Sequence, residues 1–264
     1  MRLLRSIVIF GFGVVMPVVA AAQAPVVLLP DEDQHGFLSR FTLVASVEAL
    51  AEGDPRFRWD ADIGVGVDVL DFGRGRVNVT FNYENVLGDE LQPFDPRQGN
   101  YTIDTAGTWR IRATEAGVLF RHVSRHLGDR RKDFGIAWND LGVRVSRTGR
   151  APGWRWQVQG LAMKTVALGF VDYAGHLGIE AVVHREVSSR LSLLASGTVH
   201  RRFIERAVLG RGGETGARGE LGIAVQGEAG AMEVVVGVEK RVDADAFELA
   251  PRDWAFAGLR FVMR

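Results

Sequence analysis

Cysteine is absent from all 264 residues, so no disulfide framework and no thiolate chemistry holds or works this chain. Its order must come from a core, and 264 residues with 47% hydrophobic side chains are long enough and apolar enough to bury one. Net charge is lacking as well. The 32 basic and 32 acidic side chains cancel without forming basic runs, which leaves no electrostatic footprint for nucleic acid. Long apolar stretches are missing beyond the N-terminus, and a mean hydropathy of +0.03 excludes a bundle of membrane-spanning helices. One membrane class passes this filter: a transmembrane β-barrel alternates lipid-facing and lumen-facing residues, so its mean hydropathy resembles that of a soluble protein.

The first residues set the expected compartment. Met1-Arg2-Leu3-Leu4-Arg5 is a short cationic start, followed by an apolar run from Ile7 to Val19 and the small-residue stretch Ala20-Ala21-Ala22-Gln23-Ala24. This is the pattern of a cleaved secretory signal peptide over residues 1–24, and the apolar run is shorter than the roughly 20 residues of a membrane-spanning helix. Cleavage removes Arg2 and Arg5, leaving 30 basic against 32 acidic groups. Residues 25–36 are then expected as a periplasmic N-terminal segment, with the ordered body over 37–264.

Period-two alternation fills that body. Phe57, Trp59, Ala61, Ile63, Val65, Val67 and Val69 alternate with Arg58, Asp60, Asp62, Gly64, Gly66 and Asp68; Val77, Val79, Phe81 and Tyr83 follow the tight turn Phe72-Gly73-Arg74-Gly75. Such runs last about 10 to 18 residues, against about 5 or 6 for strands in soluble sandwiches. No amphipathic helix is present to cover the apolar faces. The pattern predicts an all-β fold: an antiparallel transmembrane β-barrel of about 12 strands, with 10 as the alternative count. Long and short joints alternate as a barrel requires, the short ones expected at the periplasmic rim. The stretch 100–126 sets the count, because its apolar parity flips between Ile111 and Val118. A turn at Thr114-Glu115-Ala116-Gly117 explains the flip and raises the count from 11 to 12; a bulge near Gly117 is the competing explanation. Trp59, Trp109, Trp154 and Trp156 read as interfacial girdle aromatics, and Asp172, His176, Glu180 and His184 as a hydrogen-bonded lumenal face.

On this map the segment Val118-Leu119-Phe120-Arg121-His122-Val123-Ser124-Arg125-His126-Leu127-Gly128-Asp129 rises to the extracellular rim. His122 and Ser124 share the parity of Val118 and Phe120 and so face outward, whereas Arg121 and Arg125 face the lumen. Polar groups on a lipid-facing surface lack water to satisfy them except near the interface, which makes this pair a site candidate. Residues two apart on a strand lie on one side, so an imidazole there can take the proton of the serine hydroxyl as the serine attacks an ester. A third group must orient the imidazole. Asn139, outward with Leu141, Val143 and Val145 on the next strand, is expected opposite Phe120 and diagonal to His122, within reach for that role. The catalytic candidates are therefore Ser124, His122 and Asn139, with His126 and Arg125 beside them as candidate substrate-binding residues. A metal held by His122, His126 and Asp129 would require the loop to fold back, because histidines four apart on a strand lie roughly 13 Å apart.

His122-Val123-Ser124 resembles the His-x-Ser of outer-membrane phospholipase A and of the lipid A deacylases, barrels whose lipid-facing histidine and serine hydrolyse acyl esters. The third residue of those families falls closer in sequence than Asn139, and the phospholipase's tryptophan and basic cluster after it is absent. The string HVSRHLGD also resembles a group of bacterial outer-membrane barrels with a His-x-Ser-x-His-Leu-Gly-Asp motif, which implies barrel and location rather than a reaction. The last strand, Trp254, Phe256, Gly258, Phe261 and Met263, resembles the C-terminal signal read by the barrel assembly machinery, although it ends in Arg264. These resemblances imply phospholipid or lipopolysaccharide as substrate and calcium as the one cofactor to consider. A narrow pore, its selectivity set by Arg58, Asp60, Asp62, Arg110 and Arg112, and a structural barrel without turnover are the alternatives.

Overall fold

A computed structural model of the chain describes residues 35–128, 130–131, 133–205 and 211–263. The expected signal peptide, most of the segment after it and Asp129 lie outside these residues. The strands are β1 (Gly36–Ala51), β2 (Trp59–Asp71), β3 (Gly75–Gly88), β4 (Asp95–Ile111), β5 (Thr114–Leu127), β6 (Ile136–Ala151), β7 (Trp154–Gly169), β8 (Tyr173–Glu186), β9 (Leu191–Ile204), β10 (Glu214–Gln226), β11 (Gly230–Arg241) and β12 (Arg252–Met263). Each pairs antiparallel with its neighbours in sequence, and β1 closes on β12 from Leu43 opposite Met263 to Ala51 opposite Ala255. Closure leaves no free edge, the condition for a sheet to sit in lipid. Both ends of the barrel lie at the rim of short turns, since Gly36 pairs with Asp71 and Met263 with Gly230.

The period-two pattern separates two environments. Ile63, Val143, Ile179 and Val236 point outward with 52%, 52%, 58% and 56% of their surface open, an apolar exterior that water would penalise and hydrocarbon accepts. The interior is ionic: Arg218 binds Glu48, Glu220 and Glu239, Arg260 binds Glu220 and Glu233, and Arg241 binds Asp60 and Glu239. A closed barrel with an apolar outside and a charged inside is a transmembrane barrel of the outer-membrane type. Its hydrogen-bond ladders resist detergent, so the unboiled protein should run anomalously on gels and shift on heating. A single mobility at all temperatures would count against closure.

The 12-strand expectation holds, but the deciding turn, Ile111–Thr114, lies three residues earlier than the sequence suggested. Ile111 pairs with Thr114, leaving only Arg112 and Ala113 in the loop, with Arg112 in the left-handed region at φ 58°. The two-residue loop causes the parity flip, because outward Trp109 pairs with outward Ala116. Glu115 therefore faces inward, bound to Arg76, Arg110 and Thr108. Arg112, expected in the lumen, is an exposed turn residue instead.

The opposite, long-loop mouth is covered. Five consecutive residues of the β11–β12 loop, Val242, Asp243, Ala244, Asp245 and Ala246, are each at most 8% exposed. Arg211 grips Asp243 and Asp172 with bonds of 2.7–2.8 Å, and the Tyr173 hydroxyl donates to Asp243 at 2.6 Å. Arg97 pairs with Asp245, and the Ala246 N–H donates to Gln98 Oε1 at 3.0 Å. A backbone loop, not side chains alone, forms this plug.

Candidate functional site

The outward face of β5 changes character toward the long-loop rim. Val118 and Phe120 are exposed and apolar, and the next three outward positions are His122, Ser124 and His126. On β6 the outward series Val145, Val143 and Leu141 ends at Asn139 and Ala137. Asn139 stands directly opposite His122, not opposite Phe120 as expected. The pairing is offset by two residues because the connection between β5 and β6 runs from Gly128 to Gly135, longer than the loop at 127–132 read from the sequence. An even offset leaves every side chain on its expected face.

Two hydrogen bonds organise the face. His122 Nδ1 meets Asn139 Oδ1 at 2.7 Å. An amide oxygen only accepts, so Nδ1 is the donor in this bond. The Ser124 hydroxyl meets His126 Nε2 at 2.9 Å. Ser124 is thus bonded to the histidine two residues toward the loop, not to His122. The expected trio is divided: His122 and Asn139 are joined, and Ser124 is joined to His126, a residue assigned to substrate contact from sequence.

Arg125 takes no part. Its side chain enters the lumen, donates to the carbonyl of Asp243 at 2.7 Å and lies over the Trp138 ring at 5.5 Å. The assignment of Arg125 to substrate binding is corrected: alternation puts it on the other side of the sheet from Ser124, where it helps hold the plug. Among the described residues no group of three or more histidines and carboxylates converges.

Sequence reasoning missed an aromatic wall. Tyr101 on β4 pairs with Ser124, and its ring meets the His126 ring edge-on at 5.2 Å. Tyr83 lies 4.8 Å from Tyr101 and Phe81 lies 6.2 Å from it, centroid to centroid. Gly99 makes room for this stack, because a Cβ there would sit 3.0 Å from the Tyr83 ring. The signal was present in the outward parity of Phe81, Tyr83 and Tyr101, but the β4–β5 register was needed to place it beside Ser124.

No family model matches the chain, and no curated protein matches it. Solved structures do. An outer-membrane channel from Pseudomonas putida F1 superposes with a TM-score of 0.54 over 89% of this chain and 99% of that one, at 9% identity. At that identity the likeness establishes the barrel fold. Outer-membrane phospholipase A from Escherichia coli matches at a TM-score of 0.49 and 11% identity, covering 89% of this chain and 94% of that one. LpxR from Salmonella typhimurium matches at 0.47 and 9%, covering 84% and 99%.

Proposed function

We propose that the protein is an acyl-ester hydrolase of the outer leaflet, with Ser124 as nucleophile. The observation that carries this reading is the 2.9 Å bond from the Ser124 hydroxyl to His126 Nε2 on the lipid-facing side of the barrel. A hydroxyl so placed transfers its proton to the imidazole as Oγ bonds to the ester carbonyl carbon. The tetrahedral adduct then collapses, the ester C–O bond breaks, and the imidazolium protonates the departing alcohol. Water repeats the sequence on the acyl-serine and releases the fatty acid. The His122–Asn139 pair sets the neighbouring wall of the site, and the rings of Tyr101, Tyr83 and Phe81 form an apolar ledge along which an acyl chain can lie.

Phospholipid and the acyl chains of lipopolysaccharide are the substrates that reach such a position. Folded protein in mixed micelles should release fatty acid from one of them or from a short-chain test ester. Absence of hydrolysis on all three would defeat the reading. The plug across the long-loop mouth makes an open channel the weaker alternative.

The outer-leaflet assignment requires the long loops to be extracellular. A cysteine in place of the exposed Arg131 should react with an impermeant reagent on intact cells, and one in place of Ser189 on the short-turn rim should not. The reverse result would put Ser124 at the inner leaflet.

A further inference from the structure

On the barrel side of the plug the lumen is not filled. A cavity of about 340 Å³ runs from Val242 and Ala244 of the plug to Arg40 and Arg76 near the short-turn rim. Its space comes partly from Gly64 and Gly66, inward positions on β2 that carry no side chain between Asp62 and Asp68.

Most of the charges lining it are matched. Arg40 and Arg76 pair with Asp68, Arg121 with Asp104, and Arg202 with Asp140. Two are not. Arg144 on β6 donates to Asn78 Oδ1 at 3.1 Å and forms no ion pair among the described residues. Asp62 on β2 accepts from Asn82 Nδ2 at 2.8 Å and likewise has no ion pair among them.

Buried atoms without hydrogen-bond partners line the same cavity. Beside Asp62, Asp60 Oδ1 and Asn82 Oδ1 accept nothing; across the lumen on β8, both ring nitrogens of His176, a residue 2% exposed, are unbonded. Buried polar atoms are seldom left unsatisfied, because each loses its hydrogen bonds to water when nothing replaces them. The orphans are sorted by chemistry. The β2–β3 wall presents acceptors, which suit an ammonium with its three N–H donors. The β6–β8 wall presents the Arg144 guanidinium and the His176 imidazole, which suit a carboxylate, while the Glu180 carboxyl on the same wall accepts from Gln159 at 3.3 Å.

We propose that the lumenal cavity binds a small zwitterionic solute, its ammonium on Asp62, Asp60 and Asn82 and its carboxylate on Arg144 and His176. Twelve strands about 4.8 Å apart and tilted by about 40° enclose a barrel of radius about 12 Å, so side chains from facing walls leave a gap of several ångströms, the span of an amino acid or dipeptide. This site is separate from Ser124, which lies on the other side of the sheet.

Titration calorimetry on the full, folded chain in detergent tests the proposal, with glycylglycine as probe and with acetate and methylammonium as its separate halves. Glycylglycine should bind saturably and at least tenfold more tightly than either half. Arg144→Gln and Asp62→Asn should each weaken it at least tenfold, Gly66→Leu should abolish it by filling the space, and Ser124→Ala should leave it unchanged. No saturable binding of glycylglycine to the parent protein overturns the proposal, whatever the variants do. So does equal binding of acetate or methylammonium, which would reduce the cavity to a single-ion site.

Discussion

Replacing Ser124 with alanine should lower ester hydrolysis by about three orders of magnitude, with His126→Ala nearly as damaging and the double variant little worse than either. The near-equality follows from the single hydrogen bond the two share: without the imidazole the hydroxyl keeps its proton, and without the hydroxyl the imidazole has nothing to activate. His122→Ala and Asn139→Ala remove a neighbouring pair and should cost roughly tenfold each, by analogy with groups that orient a catalytic residue without touching the reacting bond. All four variants should assemble and show the parent's heat-dependent gel shift, because alanine is acceptable on a lipid-facing strand. Full activity in Ser124→Ala would refute the hydrolase. If His122→Ala is the inactive variant and His126→Ala is not, the proton passes to the ring held by Asn139, and Ser124 keeps its role.

That division between two histidines marks where sequence stops being informative. Which residues face lipid was legible, since parity alone puts His122, Ser124, His126 and Asn139 on one side. The partner of Ser124 was not, because His122 and His126 stand at equal sequence distance from it and only side-chain rotation selects between them. The position of Asn139 depended on the length of one loop, and loop length is the quantity that alternation does not encode. Arg125 shows the same logic in reverse. Its parity pointed to the lumen, and its nearness in sequence to Ser124 was the misleading cue.

The plug was illegible for a different reason. Val242-Asp243-Ala244-Asp245-Ala246 continues the alternation of β11, and nothing local separates a loop that stands away from the rim from one turned into the mouth. What bends it inward is a set of cations distant in sequence: Arg97, Arg125 and Arg211. The charged lumen was read from the pattern of inward residues, but the unbonded nitrogens of His176 depart from the fully satisfied network expected there.

Arg211→Ala should open the barrel. The guanidinium bonds Asp172 and Asp243, both fully buried, along with the Leu249 carbonyl at 3.0 Å. Deleting it strands two neighbouring buried carboxylates, a loss of roughly 3–5 kcal/mol for a broken buried ion pair. The strand ladders do not depend on Arg211, so relief comes from the loop: Asp243 moves out to water and takes Val242–Ala246 with it. In planar bilayers the variant should conduct several-fold more than the parent, while Arg190→Ala, on the exposed short-turn rim, should not. Acid should have the same effect on the parent, but only in a low window. Burial pushes the Asp243 carboxyl up, yet the Arg211 guanidinium and the Tyr173 hydroxyl outweigh it and hold the group below the ordinary aspartate range. Burial likewise raises Asp245, and Arg97 with the Phe247 N–H more than reverses it. A carboxylate depressed in the folded state stabilises the closed mouth above its unfolded value, and that contribution fades as pH falls through the folded one. Conductance should therefore stay flat from neutrality down to about pH 4 and rise below it. A parent channel that opens near pH 6, or an Arg211→Ala barrel that conducts no better than the parent, would show that these ion pairs do not hold the plug.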